Sequence, residues 1–334
     1  LSNKLIKTNE FSAHLRAKGI LLPEQKILIT KFFNSEQEKD LTLPANCDGF
    51  GRIHHFRRSV DTIFPSNPLP IDPALRYLNL DYTNEIKVQV FQNAFCSWRC
   101  WYCFVDFNLL SANLKHSEFK SAEELLNLYL QSSTKPPIID LSGGQPDLVP
   151  EWSLWMADEI KKRGFENEIY IWSDDNLSND YLWRYLTKSE LKRLVSYKNY
   201  GKVGCFKGYD ETSFSFNTTA EPTAWKQQFS VMKRLVDTGF DMYAYVTLTS
   251  NNPDNTHTKM TEFIDRLQEI HPLFPLRTIP LKIFEFTPTK HRMNEVHYKA
   301  LEIQEEAVTI WNSEIEKRFT IHERAKRVHE HIIN

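Results

Sequence analysis

Ile86-Lys87-Val88-Gln89-Val90-Phe91 is the stretch that sets how the rest of the chain is parsed. Apolar and polar residues alternate with period two, as in a half-buried strand. From here onward strand-like and helix-like text take turns. Ser121-Ala122-Glu123-Glu124 is a capping box, and Ala122, Leu125, Leu126, Tyr129 and Leu130 then fall on one helical face. Ile138-Ile139-Asp140-Leu141 is a short apolar run ended by Gly143-Gly144, and a helix follows over about 152–162. Glu168 to Trp172 reads as a strand, 180–195 as helical, and Lys202 to Phe206 as a strand again. Trp225, Phe229, Met232 and Val236 recur at spacings of four, three and four, which marks a helix. A strand is expected over Asp241–Leu248, a helix near 258–270, a strand over Leu281–Phe286 and a long helix over 297–317. Such alternation implies parallel strands joined by right-handed crossovers, hence a barrel or a doubly wound sheet.

Working back from residue 85, residues 1–84 show no clear period and are expected to form an N-terminal extension. It closes in Phe64-Pro65-Ser66-Asn67-Pro68-Leu69-Pro70, expected to cross the surface as a linker. The 334 residues carry 41 basic and 43 acidic side chains, a balance that gives no strong nucleic-acid signal. No apolar run approaches the roughly 18 residues of a membrane span. The start, Leu1-Ser2-Asn3-Lys4-Leu5, lacks a secretory layout, so a cytoplasmic protein with no membrane partner is expected.

Of the five cysteines, three lie in Phe95-Cys96-Ser97-Trp98-Arg99-Cys100-Trp101-Tyr102-Cys103-Phe104; the others are Cys47 and Cys205. An odd number this small is a poor disulfide framework, and clustering favours metal ligation. Three thiolates on a loop at the end of a strand can hold three irons of a cubane, leaving the fourth iron for an exogenous chelate. The alternative is structural zinc, which takes four Cys or His ligands; Cys47, Cys205 or a histidine would have to complete it. His329-Glu330-His331 is a weaker metal candidate.

Cys-x-x-x-Cys-x-aromatic-Cys resembles the signature of the radical S-adenosylmethionine (SAM) superfamily. Leu141-Ser142-Gly143-Gly144-Gln145-Pro146 looks like its Gly-Gly-Glu-Pro, with Gln145 in place of the acid. Trp172-Ser173-Asp174-Asp175-Asn176 stands where the family often carries Thr-Asn-Gly. Phe206-Lys207-Gly208-Tyr209-Asp210 resembles a stretch of glycyl-radical-enzyme activating enzymes, except that Cys205 stands where those often place an acid.

The resemblance implies a partial (β/α)6 TIM-like barrel over 85–290, followed by a C-terminal helical segment, 291–334. It implies that Cys96, Cys100 and Cys103 hold a [4Fe–4S] cluster. Tyr102, Gly143, Gly144, Gln145, Ser173, Asp174 and Lys207 would bind SAM. Gln145 would accept from the SAM ammonium through its carbonyl, and Lys207 would pair with the SAM carboxylate. The activity implied is an oxidoreductase type in which SAM is cleaved reductively to a 5′-deoxyadenosyl radical that abstracts hydrogen. A one-electron donor such as flavodoxin or ferredoxin would supply the electron, and a small molecule, nucleoside or peptide would be the substrate. With no further cysteine cluster, no auxiliary cluster is expected. Two alternatives stand beside this: an activase acting on a glycine of a protein partner, and a non-catalytic iron–sulfur sensor or scaffold, which Gln145 keeps open.

Overall fold

Helix α1 (Thr8–Gly19) and strands β1 (Ile20–Leu21), β2 (Lys26–Thr30) and β3 (Gly51–Arg57) come first, then α2 (Ile71–Leu78) and β4 (Glu85–Phe91). The order continues through β5 (Ser117–Ser121), α3 (Ala122–Gln131), β6 (Ile138–Leu141), α4 (Glu151–Lys162), β7 (Tyr170–Asp175), α5 (Tyr181–Tyr185) and α6 (Lys188–Ser196). After these stand β8 (Tyr200–Phe206), α7 (Glu211–Thr218), α8 (Ala224–Thr238), β9 (Met242–Thr247), α9 (Thr256–Ile270), β10 (Thr278–Leu281), α10 (Thr287–Lys290) and α11 (Glu295–Arg318). The structure, a computed structural model, describes residues 5–59 and 61–333. The signal-like or signal-free character of residues 1–4 therefore lies outside the described residues.

Seven strands form one sheet in the order β10-β9-β8-β7-β6-β4-β3, curled into a half-barrel. Every neighbouring pair is parallel except β3 with β4, which is antiparallel. The fold is thus a mixed α/β half-barrel of six parallel strands, β4, β6, β7, β8, β9 and β10, with β3 antiparallel at one edge. Its seventh strand comes from residues 1–84, whose text gave no strand signal.

Side chains alternate across the curl. Val88, Val90, Ile138, Tyr170, Trp172, Val203, Tyr243 and Tyr245 share an inner core with Leu69, Ile71, Ala74 and Leu75 from the segment around α2. Phe91, Ile139, Leu141, Ile171, Phe206 and Val246 pack outward in the larger core that includes the helices. The Pro-rich stretch 64–70, expected on the surface, is instead part of this filling: Phe64 and Leu69 are buried, and Tyr245 Oη donates to the Leu69 carbonyl at 3.1 Å. An open half-barrel leaves apolar side chains facing inward, and these N-terminal residues cover them.

Two strand boundaries also move. The last strand is Thr278–Leu281 rather than Leu281–Phe286, because the Ile283 backbone exchanges hydrogen bonds with the Gln304 side chain of α11 at 3.0 Å. The third parallel strand runs on to Asp175, since Ser173, Asp174 and Asp175 still pair with Lys202, Val203 and Gly204 of β8. Among the described residues no helix is long and apolar enough to cross a membrane.

Candidate functional site

The loop after β4 is pinned by its backbone. Cys96 N donates to Leu110 O at 3.1 Å, Arg99 N to Thr218 O at 3.1 Å, Trp101 N to Asn217 O at 3.2 Å and Cys103 N to Cys100 O at 3.0 Å. Indoles secure the same loop: Trp98 Nε1 donates to Thr8 Oγ1 of α1, and Trp101 Nε1 to Asn217 Oδ1 of α7, at 3.1 and 3.0 Å. So α1 and α7 both hold the cysteine loop against the end of the sheet.

All five cysteines are free thiols; Cys96 and Cys100 are buried and Cys103 half-buried. Burial pushes Cys96 up to about 11 and Cys100 up to about 12, and Cys103 rises for the same cause. Each of the three also feels Lys207, and Cys100 feels both of the others, so the three thiols share one environment. Cys47 lies apart, raised to about 12 by burial and Asp48. Cys205, on β8, rises to about 12 by burial; Lys207 and the acids Asp174, Asp175 and Asp147 act on it next. Among the described residues no three His, Cys, Asp or Glu side chains close around a single metal ion, His329 and His331 included. The geometry of a four-ligand zinc site is therefore not found there. Ligands of a cubane stand further apart, separated by the cluster's own width.

Lys207 follows β8 and is held by its backbone: its N–H donates to Gln228 Oε1 at 3.2 Å, and its carbonyl accepts from Asn217 Nδ2 at 2.8 Å. Burial opposes its charge, but the acidic groups of Cys205, Tyr102, Cys100 and Asp174 around it hold its pKa well above an ordinary lysine. Among the described residues no ion pair is made by this ammonium. Tyr102 reaches over from the loop, its hydroxyl 3.1 Å from Thr247 Oγ1 at the end of β9.

Ser173 and Asp174 do not act together. Neighbours on a strand face opposite sides. Asp174 looks inward, where Lys207 and Arg52 act on it, its carboxyl raised to about 6 by burial. Ser173 looks outward and its Oγ lies 2.7 Å from the Tyr200 hydroxyl, in the helix-covered layer. Of the two, Asp174 is the one on the face that carries Lys207.

The glycine pair also turns out to serve the fold. Gly143 has φ +89°, and a Cβ there would strike Gln92; a Cβ on Gly144 would strike Asn93 Oδ1 and its carbonyl. The close backbone approach that glycine permits here is to the residues leading into the cysteine loop. Gln145 is fully buried and fully used. Its Oε1 accepts from Ser97 N at 2.7 Å and Ser97 Oγ at 2.8 Å, and its Nε2 donates to Asp147 Oδ2 at 2.9 Å and Ser178 Oγ at 2.6 Å. Both carbonyl lone pairs are thus committed to the residue after Cys96, not left for an ammonium.

Three participants escaped the sequence. Arg52 of β3 and Asp140 of β6 face inward beside Asp174; burial lowers Arg52 to about 10 and raises Asp140. Arg52 sits in text without period, but Asp140 had a signal: one acid inside an apolar run. Asn176, just past β7, is the third. Its Nδ2 lies 3.5 Å from Cys96 Sγ.

No family model matches this chain, and no curated protein matches it. Among solved structures, Streptococcus suis SuiB bound to S-adenosylmethionine overlays with TM-score 0.40 at 16% identity, covering 55% of this chain and 37% of that one. SuiB bound to its precursor peptide SuiA gives TM-score 0.40 at 15% identity, over 59% and 39%. The matched part is less than half the length of those proteins.

Proposed function

We propose that this chain is a radical SAM enzyme. The observation that carries the proposal is one environment at the end of a parallel half-barrel: three thiols of a single loop, each within electrostatic reach of the Lys207 ammonium, which makes no ion pair among the described residues. The donor set suits the group, since soft thiolates are the ordinary ligands of iron–sulfur clusters and three of them leave a coordination position open. Cys96, Cys100 and Cys103 would hold a [4Fe–4S] cluster, with SAM beside it. Together these supply reductive cleavage of SAM to a 5′-deoxyadenosyl radical that abstracts hydrogen from a substrate.

The protein's part is orientation and exclusion. Lys207 presents a fixed positive charge to a carboxylate in a partly dry site, where a charge-assisted bond is short and strong. Tyr102, anchored to Thr247, closes one side. Asp174, Asp140 and Arg52 place ionisable groups on the inner face, where a polar substrate would meet them. Burial of the loop by α1 and α7 keeps solvent from the reacting atoms. A one-electron donor of the flavodoxin or ferredoxin kind belongs to the same proposal.

The test is direct. Anaerobically reconstituted protein, given SAM and dithionite, should bind iron and sulfide and form 5′-deoxyadenosine. The Cys96→Ala, Cys100→Ala, Cys103→Ala triple variant should lose both colour and product. A purified chain carrying zinc and no sulfide would end the proposal.

A further inference from the structure

Asn176 is buried and clamped from both sides of its backbone. Its N–H donates to Asp147 Oδ1 at 3.1 Å, and its carbonyl accepts from Gln228 Nε2 at 2.9 Å. Gln228 also holds Lys207 and the Cys205 carbonyl, while Asp147 is tied through Gln145 to Ser97. The backbone is therefore held on both sides of this residue, and its side-chain Nδ2 stands 3.5 Å from Cys96 Sγ. The opposite amide orientation would aim Oδ1 at the sulfur. A metal-bound thiolate only accepts, so the N–H orientation is the one that survives ligation.

We propose that Asn176 is a positioning residue that donates a hydrogen bond to the Cys96 thiolate and raises the reduction potential of the bound cluster. This rests on the cluster assignment above. Reduction adds negative charge that spreads onto the ligand sulfurs, so a donor at the sulfur favours the reduced form. Burial keeps water from substituting for the lost donor. The backbone N–H of Trp98 also faces Cys96, so removal of Asn176 weakens rather than abolishes this support.

The experiment is a redox titration followed by electron paramagnetic resonance on the full reconstituted chain. Asn176→Leu and Asn176→Ala should each shift the reduced-to-oxidised ratio about tenfold toward oxidised, a midpoint lower by about 59 mV for one electron. Asn179→Ala is the control: Asn179 donates to Asp147 Oδ2 at 2.6 Å in the same network, and its removal should leave the potential in place. Unmoved Asn176 variants, or an equal shift in the control, overturn the inference alone. Wild-type protein labelled with 15N in the asparagine amides gives a second measurement that needs no variant to fold. Coupling of an amide nitrogen to the reduced cluster is expected, and its absence overturns the inference. A wild type that binds no iron and sulfide overturns this inference and the proposed function together.

Discussion

Lys207 shows how much one residue's setting matters. A lysine at a strand end is ordinarily a solvated charge, yet this one is buried within electrostatic reach of Cys205, Cys100 and Asp174, and its backbone is fixed by Gln228 and Asn217. If it pairs with the SAM carboxylate, its removal deletes a charge-assisted bond of about 1.5–3 kcal/mol. Lys207→Met should then weaken SAM binding about 10- to 100-fold in cluster-loaded protein, measured by equilibrium dialysis. Iron and sulfide content should stay at the wild-type level. Equal affinity in the two proteins would place the SAM carboxylate elsewhere.

At the scale of elements, the informative unit is the turn after β6. It resembles a family motif in which an acid follows two glycines, and the obvious variant to make is Gln145→Glu. The hydrogen bonds argue against it. Gln145 bridges an acceptor-seeking Ser97 to the carboxylate of Asp147; an amide accepts on one side and donates on the other, which an ionised carboxylate cannot do. A glutamate would set two carboxylates together in a buried site. Asp147 is already raised to about 7, by burial first and Asp175 second. Gln145→Glu should therefore cost about 1–3 kcal/mol at pH 8, read by urea unfolding. A carboxyl raised in the fold favours the protonated state, so its stabilising share is complete at low pH and lost as pH rises through the folded pKa. The variant's deficit should accordingly shrink as pH falls below 7 and the pair takes up a proton. A deficit that grows with acid would contradict the bridge.

For the whole molecule, the described residues before β4 contribute to the half-barrel itself. β3 extends the sheet, the segment around α2 fills the inner face, and α1 is locked to α4. Arg16 of α1 donates to the Leu148 carbonyl at 2.8 Å and to Glu151 Oε2 at 2.9 Å, and pairs with Glu151 Oε1 as well. Both side chains are only 6% exposed. Breaking such a pair strands a buried carboxylate and costs about 3–5 kcal/mol. Arg16→Ala should lower stability by that amount in a single unfolding transition that also releases the cysteine loop, because Trp98 is anchored on Thr8 of the same helix. Separate transitions for the N-terminal part and the sheet would refute this.

By itself the sequence determined the alternation of strands and helices, the grouping of Cys96, Cys100 and Cys103, and the parallel series β4, β6, β7, β8 and β9. These follow from periodicity and spacing, which are local properties of the chain. Only the tertiary structure decided that β3 joins the sheet, that Asp174 and not Ser173 faces inward, and that Gln145 serves the loop. It also decided that Arg52 and Asp140 join Asp174 on the inner face and that Asn176 reaches Cys96. Those outcomes depend on which face a residue takes and on partners far apart in the chain, such as Asn176 and Cys96 or Arg16 and Glu151, separated by 80 and 135 positions. Long-range pairing of that kind leaves no mark in a local pattern, because the energy that selects it is released only when the elements pack.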